Sequence, residues 1–294
     1  MNTKPRILLL NEPHPKARAI MEEVAGTSNK HKWIDYDGIF TTLEPIDKKV
    51  LSLAQNIKFI ATPCTGTDHI VVPDGVKLIH LDDAWKANEG REVTSTAEHT
   101  WSLILQLAKM KRMQLNKKHI GIIGFGRVGR MVFEYAKAFS MKISVIDKEN
   151  YVNENLYGLE YVLQSADIIT LHIPLQNNEG FFGEREFAMM KDGALLINTS
   201  RFRIIDAKAL FKAIDNKLGG YADDFKDEYG NMHDTNHPEY FTGYFDMTLH
   251  PCYDFSRKSN IIRTPHIAGN SLEARELTDC FIARKIKEFI EGGH

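Results

Sequence analysis

Three glycines near the middle of the chain, Gly124, Gly126 and Gly129, have the spacing G-x-G-x-x-G. A backbone without Cβ atoms at these positions can turn tightly and bring its N–H groups close to phosphate oxygens. An apolar, β-branched run at 119–123 precedes the glycines, and apolar residues recur at helical spacing over 127–139. The pattern predicts a strand, a phosphate-binding turn and a helix whose N-terminus favours negative charge.

An acidic residue follows this motif at the distance expected for a bound dinucleotide. Asp147 comes directly after the next predicted strand, 143–146, close to the roughly 20-residue spacing of ribose-binding acids. Its carboxylate can accept hydrogen bonds from a ribose diol, and it would repel a 2′-phosphate. The pattern therefore favours NAD over NADP. The alternative interpretation is a structural glycine turn that binds no ligand.

Composition restricts the classes of partner. The chain has 294 residues, with 37 Lys and Arg against 39 Asp and Glu, for a net charge of −2. This balance offers no basic excess for nucleic acid and indicates a small-molecule partner. The 3 cysteines include no C-x-x-C pair, which argues against a disulfide framework or a zinc site and fits a reducing cytoplasm. The apolar run at 7–10 is too short for a membrane segment and suits a first strand.

Strands and amphipathic helices alternate along the whole chain, which predicts an α/β fold with parallel sheets. Predicted strands cover 7–10, 57–61, 77–81, 120–124, 143–146, 168–172, 194–198, 220–224 and 260–263. Two long helices are predicted at 95–113 and 271–291. The first opens on Ser95-Thr-Ala-Glu98, which has the spacing of a capping box.

The glycine motif begins near the middle of the chain, so the residues before it need a domain of their own. We predict a discontinuous substrate domain at 1–94 and 271–294, and an NAD-binding Rossmann domain at 95–270. The helix that starts at Ser95 would cross into the second domain, and the last helix would cross back. This organisation predicts two Rossmann-like domains with parallel sheets and an active-site cleft between them.

Several stretches resemble, in order and spacing, the D-isomer-specific 2-hydroxyacid dehydrogenases, which include phosphoglycerate and formate dehydrogenases. They are FIATPCTGTDHI (59–70), STAEHTWSLILQLAK (95–109), HIGIIGFGRVGR (119–130), ADIITLHIPL (166–175), MKDGALLINTSR (190–201) and RTPHIAGNSLEA (263–274). The resemblance implies an NAD-dependent oxidoreductase that transfers a hydride between nicotinamide and C2 of a small D-2-hydroxy acid or 2-keto acid.

The resemblance also implies which residues contact the ligands. The cofactor would be bound by residues of the glycine turn and of loops after strands: Gly124, Gly126, Arg127, Val128, Gly129, Asp147, His172, Pro174, Thr199, Asp224 and Gly269. The substrate carboxylate would be bound by backbone N–H groups at Thr65, Gly66 and Thr67, where a glycine allows close approach. The reaction requires no metal.

The same resemblance implies a catalytic group of Arg, Glu and His. His266, in T-P-H after a strand, is the candidate acid/base, because reducing a keto acid requires a proton at the carbonyl oxygen. Arg201 ends a strand segment, and its planar guanidinium can hold a carboxylate and polarise the adjacent carbonyl. Glu228 is the candidate partner that orients the histidine, with Asp227 as the alternative.

Three departures from the family bear on substrate and assembly. The family usually has Gly after the arginine, whereas Phe202 and Arg203 stand here and predict a bulkier, more cationic wall of the site. The connection 109–119 is shorter than the family's dimerisation arm, which predicts a homodimer with a reduced contact, with a monomer as the alternative. The segment 231–259 is interpreted as a lid or partner surface, or else as an ordered surface excursion.

A binding protein of another class shares this fold and motif, namely an NAD-sensing transcriptional corepressor. The Arg and His pair favours the enzyme, while the short connection and Phe202 favour the sensor. We therefore expect a cytoplasmic dehydrogenase that uses NAD and acts on a small 2-hydroxy or 2-keto acid. Neither nucleic acid nor membrane is an expected partner.

Overall fold

The computed structural model describes residues 4–29, 33–82, 85, 89–147, 158–225 and 259–292. The chain divides into two compact units, Met1–Val93 with Asn270–His294, and Thr94–Gly269. These boundaries lie one residue before those predicted from the sequence. A role for each unit does not follow from the boundaries alone.

The discontinuous unit contains one parallel sheet. Its strands are β1 (Arg6–Leu9), β2 (Gly26–Ser28), β3 (Gly38–Phe40), β4 (Phe59–Ala61) and β5 (Lys77–Ile79). They lie in the order β2-β1-β3-β4-β5. Its helices include α1 (Pro15–Val24), α2 (Lys48–Leu53) and the C-terminal helix α8 (Leu272–Glu291), which packs on α1. Every residue of β3 and β4 is buried, as expected where helices cover both faces of a parallel sheet.

The Thr94–Gly269 unit contains a second parallel sheet. Its strands are β6 (His119–Ile123), β7 (Lys142–Ile146), β8 (Ile168–Leu171), β9 (Leu195–Asn198), β10 (Gly220–Asp223) and β11 (Ile261–Arg263). They lie in the order β11-β10-β9-β8-β6-β7, so β7 and β8 flank β6 on opposite sides. The strand order reverses at β6, and ligands of open parallel sheets bind at the carboxyl end of such a switch point. That end carries the glycine motif.

Helices cover both faces of this second sheet. They are α3 (Ser95–Met110), α4 (Arg127–Ala138), α5 (Leu159–Ser165), α6 (Glu184–Met189) and α7 (Ala207–Asn216). The neighbouring β9 residues Leu196 and Ile197 belong to different apolar clusters, because successive side chains of a strand point to opposite faces. All residues of β8, β9 and β10 are buried. The loops at the carboxyl edge therefore start from a well-packed sheet.

The predicted fold class of two Rossmann-like units with parallel sheets is confirmed, but the sequence pattern does not predict β2 and β3. β2 reads Gly-Thr-Ser and lies at the sheet edge, so no apolar run marks it. β3 begins at Gly38, where a Cβ would lie 2.1 Å from the Phe59 ring. That strand depends on a neighbour that is distant in sequence.

The first long helix begins at the expected residue, but its cap differs from the prediction. α3 begins at Ser95 with Thr94 as its N-cap, and it ends at Met110 instead of residue 113. Thr94 Oγ1 donates to the Glu98 carboxylate at 2.5 Å. The capping box predicted for Ser95 is therefore wrong: the N-cap is Thr94, and its side chain bonds Glu98 and makes no cap hydrogen bond to the backbone.

Three chemical features concern the described part of the chain only. Within it, neither Cys64 nor Cys280 forms a disulfide. Among the residues that the structure describes, no group of three or more His, Cys, Asp or Glu side chains could hold a metal ion. Within the same ranges, no helix is long and apolar enough to cross a bilayer.

Candidate active site

The glycine motif forms the turn between β6 and α4, and each glycine meets a different environment. Gly124 has φ +97°, and a Cβ there would lie 2.3 Å from the His172 carbonyl oxygen. A Cβ at Gly129 would lie 2.1 Å from the Gly124 carbonyl oxygen, so this glycine lets the helix pack on the turn. A Cβ at Gly126 would meet no described atom within 4 Å. The protein itself requires two of the glycines, and Gly126 leaves space for a ligand.

The open side of this turn has the chemistry of a phosphate site. Gly126 is the N-cap of α4 and has no side chain to cap the first N–H groups of the helix. Those N–H groups and the helix dipole favour a bound anion. Asp147, half-buried after β7, accepts a hydrogen bond from the Phe125 N–H, so its carboxylate lies beside the turn. Arg127 and Val128 follow the turn and are also half-buried. These residues fit a dinucleotide.

The segment after β8 lies next to the glycine turn. The His172 N–H donates to the Ile123 carbonyl oxygen at 2.7 Å, and His172 Nε2 lies 2.9 Å from Thr170 Oγ1. Burial lowers the pKa of His172 to about 3. The imidazole is therefore neutral at pH 7 and adds no positive charge beside the turn. Pro174, two residues later, is exposed.

Arg201 follows β9 in a segment that side-chain hydrogen bonds hold in place. The buried Asn198 side chain accepts from the Ser200 N–H at 3.0 Å and donates to the Arg201 carbonyl oxygen at 2.9 Å. Ser200 Oγ donates to the Leu171 carbonyl oxygen at 2.7 Å. The half-buried guanidinium donates from Nη1 to the Ser200 carbonyl oxygen at 2.9 Å. The backbone that carries Arg201 is thus fixed to β8 and β9.

The two residues after Arg201 do not form the bulky, cationic wall that the sequence predicts. Phe202 is 3% exposed and packs into the apolar cluster around α5, α6 and α7. Arg203 pairs with the exposed Glu179 carboxylate, and its carbonyl oxygen accepts from the Gly180 N–H at 2.8 Å. The aromatic ring fills the core, so that prediction is wrong and Phe202 no longer argues for an unusual substrate.

Two acids, Asp223 and Asp224, lie next to each other at the end of β10. Asp223 links β10 to β11. Asp223 is fully buried and accepts from Arg263 Nε at 3.0 Å. Burial raises the pKa of Asp223, and the positive charge of Arg263 opposes that rise. Because Arg263 ends β11, the pair fixes the start of the next loop against β10.

The second acid, Asp224, holds that next loop, residues 264–268, which we call the histidine loop. Asp224 is 2% exposed, and its two carboxylate oxygens accept from the Ile267 N–H at 3.0 Å and the Ala268 N–H at 2.7 Å. The Thr264 hydroxyl donates to the same carboxylate at 2.5 Å. A contact between Asp224 and the cofactor stays a prediction, since these bonds are made to the protein.

His266 lies in the middle of the histidine loop in a conformation that side chains rarely adopt. Its φ is +52°, in the left-handed region, which costs a non-glycine residue about 1–2 kcal/mol. The half-buried imidazole meets the Phe225 ring edge-to-face, with 5.8 Å between ring centroids. Such strain persists where surrounding bonds enforce it, and it concentrates at functional sites.

Helix α3 contributes side chains that sequence reasoning did not assign to the site. His99 Nε2 lies 2.9 Å from Thr264 Oγ1. Burial lowers the pKa of His99, and the Asp224 carboxylate opposes this effect. The next residue, Thr100, places its Oγ1 2.9 Å from Thr199 Oγ1. No distinctive sequence signal marked His99 and Thr100, because the same helix also carries Thr96, Glu98 and Ser102.

Other predicted site residues belong to different parts of the chain. The loop with Thr65, Gly66 and Thr67 belongs to the discontinuous unit, where Cys64 Sγ donates to the Thr42 carbonyl oxygen at 3.1 Å and fills space. Gly269 is exposed at the end of the second unit. Glu228, Asp227 and residues 231–258 lie outside the described residues, so the choice between the two acids stays a prediction.

One edge of the second sheet thus collects most of the predicted site. Asp147, His172, Arg201, Asp224 and His266 all follow the carboxyl ends of its parallel strands. An arginine for a carboxylate, a histidine for a proton and a glycine turn for a dinucleotide are the groups that hydride transfer at a 2-hydroxy acid requires.

Comparison with known proteins agrees with this chemistry. The family model described as D-isomer specific 2-hydroxyacid dehydrogenase, NAD binding domain, matches residues 84–268. A glyoxylate reductase from Thermococcus litoralis is 28% identical over 294 aligned residues, which cover 88% of this chain and 82% of that protein. A D-3-phosphoglycerate dehydrogenase from Archaeoglobus fulgidus is 28% identical over 276 residues, covering 84% of this chain and 48% of that protein.

A solved structure extends the likeness to the fold of the whole chain. The crystal structure of D-lactate dehydrogenase from Aquifex aeolicus, complexed with NAD and lactic acid, superposes with a TM-score of 0.78 at 24% identity. The match covers 98% of this chain and 96% of that one. Because the family model spans more than half of the sequence, this chain belongs to the D-isomer-specific 2-hydroxyacid dehydrogenases, NAD-dependent oxidoreductases, and residues 84–268 contain their NAD-binding domain.

Proposed function

We propose that the protein interconverts a small 2-keto acid and the matching D-2-hydroxy acid, with His266 as the acid/base and Arg201 as the carboxylate-binding residue. NAD, when bound, supplies the hydride acceptor or donor. In the reducing direction His266 donates a proton to the carbonyl oxygen, and in the oxidising direction it accepts the hydroxyl proton. Glyoxylate and similarly small keto acids are the substrates we favour, because curated relatives carry the name glyoxylate reductase.

The conformation of His266 is the observation that carries this proposal. A histidine in the left-handed region costs folding free energy. The hydrogen bonds from the Ile267 and Ala268 N–H groups to Asp224 compensate for this cost. Other described non-glycine residues also have a positive φ, so the strain supports the proposal through its combination with the Asp224 hydrogen bonds and the place of the loop at the carboxyl edge of the sheet. The half-buried imidazole in a loop at the carboxyl edge of the sheet is suited to proton transfer.

Arg201 is suited to the substrate carboxylate for a separate reason. Its planar guanidinium can make two parallel hydrogen bonds to a carboxylate, which a lysine ammonium cannot do. The Asn198 and Ser200 bonds limit the movement of its backbone, which reduces the entropy lost on binding. Assignment of Thr65, Gly66 and Thr67 to the same carboxylate, and of Glu228 or Asp227 to the histidine, belongs to this proposal.

The assembly and location that we predict also remain part of the proposal. Residues 111–118 connect α3 to β6, which is too short for a long dimerisation arm. We therefore propose a homodimer with a reduced contact, working in the cytoplasm. Light scattering of the purified protein measures the oligomeric state, and a monomeric mass would contradict the dimer.

A substrate panel tests the proposed reaction. Purified protein is mixed with NADH and, in separate reactions, glyoxylate, pyruvate and longer 2-keto acids, and NADH oxidation is followed by absorbance. We expect turnover with at least one keto acid and, in reverse, oxidation of the D-hydroxy acid but not of the L-isomer. Tight NADH binding with no turnover across the panel would contradict the proposal and favour an NAD-sensing binding protein.

A further inference from the structure

A chain of hydrogen bonds connects helix α3 to the histidine loop. His99 Nε2 lies 2.9 Å from Thr264 Oγ1, and that hydroxyl donates to Asp224 Oδ1 at 2.5 Å. Asp224 Oδ1 also accepts from the Ile267 N–H at 3.0 Å, and Oδ2 accepts from the Ala268 N–H at 2.7 Å, both donors directly following His266. This series of hydrogen bonds therefore begins on α3 and ends at residues on both sides of His266.

The geometry assigns a direction to these bonds. Two acceptors face the Thr264 hydroxyl, and the Asp224 carboxylate at 2.5 Å is much closer than the Asp223 carbonyl oxygen at 3.3 Å. The hydroxyl proton therefore points to Asp224, and the hydroxyl oxygen accepts from His99. His99 is then the neutral tautomer with its proton on Nε2. Burial of His99 favours the neutral form, and its Nε2 is 3.7 Å from Asp224 Oδ1, beyond hydrogen-bond distance. Thr264 is thus the necessary intermediary between the helix and the acid.

We propose that His99 and Thr264 are positioning residues for the reaction: they orient Asp224, which holds the histidine loop so that His266 presents its imidazole to the substrate. This inference rests on the proposed role of His266 as the acid/base. The strained φ of +52° relaxes if one anchor is lost, and the imidazole then moves. A displacement of about 1 Å at a catalytic group can reduce the rate by roughly 10²-fold.

Matched substitutions separate a positioning role from simple stabilisation. Thr264→Val removes the hydroxyl at nearly constant shape, and Thr264→Ser retains it. His99→Leu removes the donor, and His99→Gln places an amide N–H near the Nε2 position. Ser102→Ala, on the exposed face of the same helix, is the control for α3. Each variant is assayed for kcat, KM, NADH affinity, melting temperature and the solvent deuterium isotope effect on kcat.

We expect Thr264→Val to lower kcat about tenfold and His99→Leu to lower it by about threefold or more, with NADH affinity and keto-acid KM nearly unchanged. The solvent isotope effect should rise in both variants, because a misplaced imidazole makes proton transfer slower. Thr264→Ser, His99→Gln and Ser102→Ala should retain most of the wild-type kcat. A purely stabilising role would lower the melting temperature without changing the isotope effect.

His266→Ala distinguishes the two ways in which this inference can fail. If His266→Ala abolishes turnover while Thr264→Val and His99→Leu keep the wild-type kcat and isotope effect, positioning is wrong and the proposed acid/base stands. If His266→Ala retains wild-type turnover, the proposed acid/base is wrong and the positioning role falls with it. If Thr264→Val fails to fold, the variants His99→Leu and His99→Gln give the same test. In the described network, His99 is bonded to the histidine loop only through Thr264.

Discussion

The glycine turn and the histidine loop lie on the same edge of one sheet, but different forces set their shapes. The turn depends on three residues without side chains, and two of them could not carry a Cβ without a collision at 2.3 Å or less. The histidine loop contains no glycine between 264 and 268, and its left-handed residue is His266. The turn is shaped by steric exclusion, from the Gly124 carbonyl oxygen at Gly129 and from the His172 carbonyl oxygen at Gly124, whereas the histidine loop is held by hydrogen bonds to Asp224 from a neighbouring strand.

This difference explains how each region should respond to substitution. In the turn, an added methyl group collides with backbone atoms, which cannot move far, so the effect on packing is immediate. In the histidine loop, the loss of a hydrogen-bond partner leaves buried donors unpaired and frees a strained residue. Variants of the turn should therefore change cofactor binding and stability, and variants of the loop should change the rate of chemistry.

The largest effect is expected at His266. His266→Ala should lower kcat by roughly 10²-fold or more and leave the Kd for NADH nearly unchanged, because the imidazole acts on the proton. Steady-state kinetics and NADH fluorescence titration measure the two quantities. His119→Gln, at the amino end of β6 and away from this edge, should behave like the wild type. Wild-type turnover in His266→Ala would show that the histidine loop has no catalytic role.

A pair of glycine substitutions separates packing from ligand binding in the turn. Gly129→Ala should destabilise the protein by about 1–3 kcal/mol, because its Cβ would lie 2.1 Å from the Gly124 carbonyl oxygen. Gly126→Ala should cost less than about 1 kcal/mol as an N-cap change, yet weaken NADH binding about tenfold by obstructing the pyrophosphate. Chemical denaturation and NADH titration test both variants. Unchanged NADH affinity in Gly126→Ala would show that the ligand does not approach this face.

The preference for NADH over NADPH should be smaller and should depend on Asp147. A 2′-phosphate beside this carboxylate costs on the order of 1 kcal/mol, so kcat/KM should favour NADH by about tenfold. Asp147→Asn keeps an acceptor for the Phe125 N–H and removes the charge, so it should reduce the preference while preserving the turn. Equal or better use of NADPH by the wild type would contradict the assignment of Asp147.

A separate effect is expected in the pH dependence of stability, through His172. Its pKa is about 3 in the folded protein and about 6.5 when unfolded, so between these values the unfolded chain binds one more proton. Stability should therefore fall as the pH drops below 6.5, by up to about 1.4 kcal/mol per pH unit from this group. Urea unfolding of His172→Gln at pH 5 to 7 should give a shallower slope. Parallel curves for variant and wild type would show that this histidine is not buried in neutral form.

Much of the fold was predictable because its signals are local. The β-branched runs of β6, β8 and β9 and the glycine motif lie within short windows, so apolar pattern and turn chemistry identify them directly. β2 and β3 were not predictable, since β2 is a polar edge strand and β3 begins with a glycine whose place is set by the Phe59 ring of another strand. The N-cap residue of α3 is Thr94 and not Ser95. The two residues both carry hydroxyl groups, and only the backbone path decides which of them is the N-cap.

The sequence by itself determined the dinucleotide turn, the acid beside it, and the two polar residues, Arg201 and His266, that follow strands. Only the tertiary structure decided that Phe202 lies in the core, and that Asp223 and Asp224 have different partners. It also brought His99 to Thr264, which lies 165 residues away along the chain, and Thr264 to Asp224 across 40 residues. The physical reason is range: the glycine spacing of a phosphate-binding turn can be read within a short stretch of sequence, whereas a buried hydrogen bond exists only after the sheet has brought its partners together.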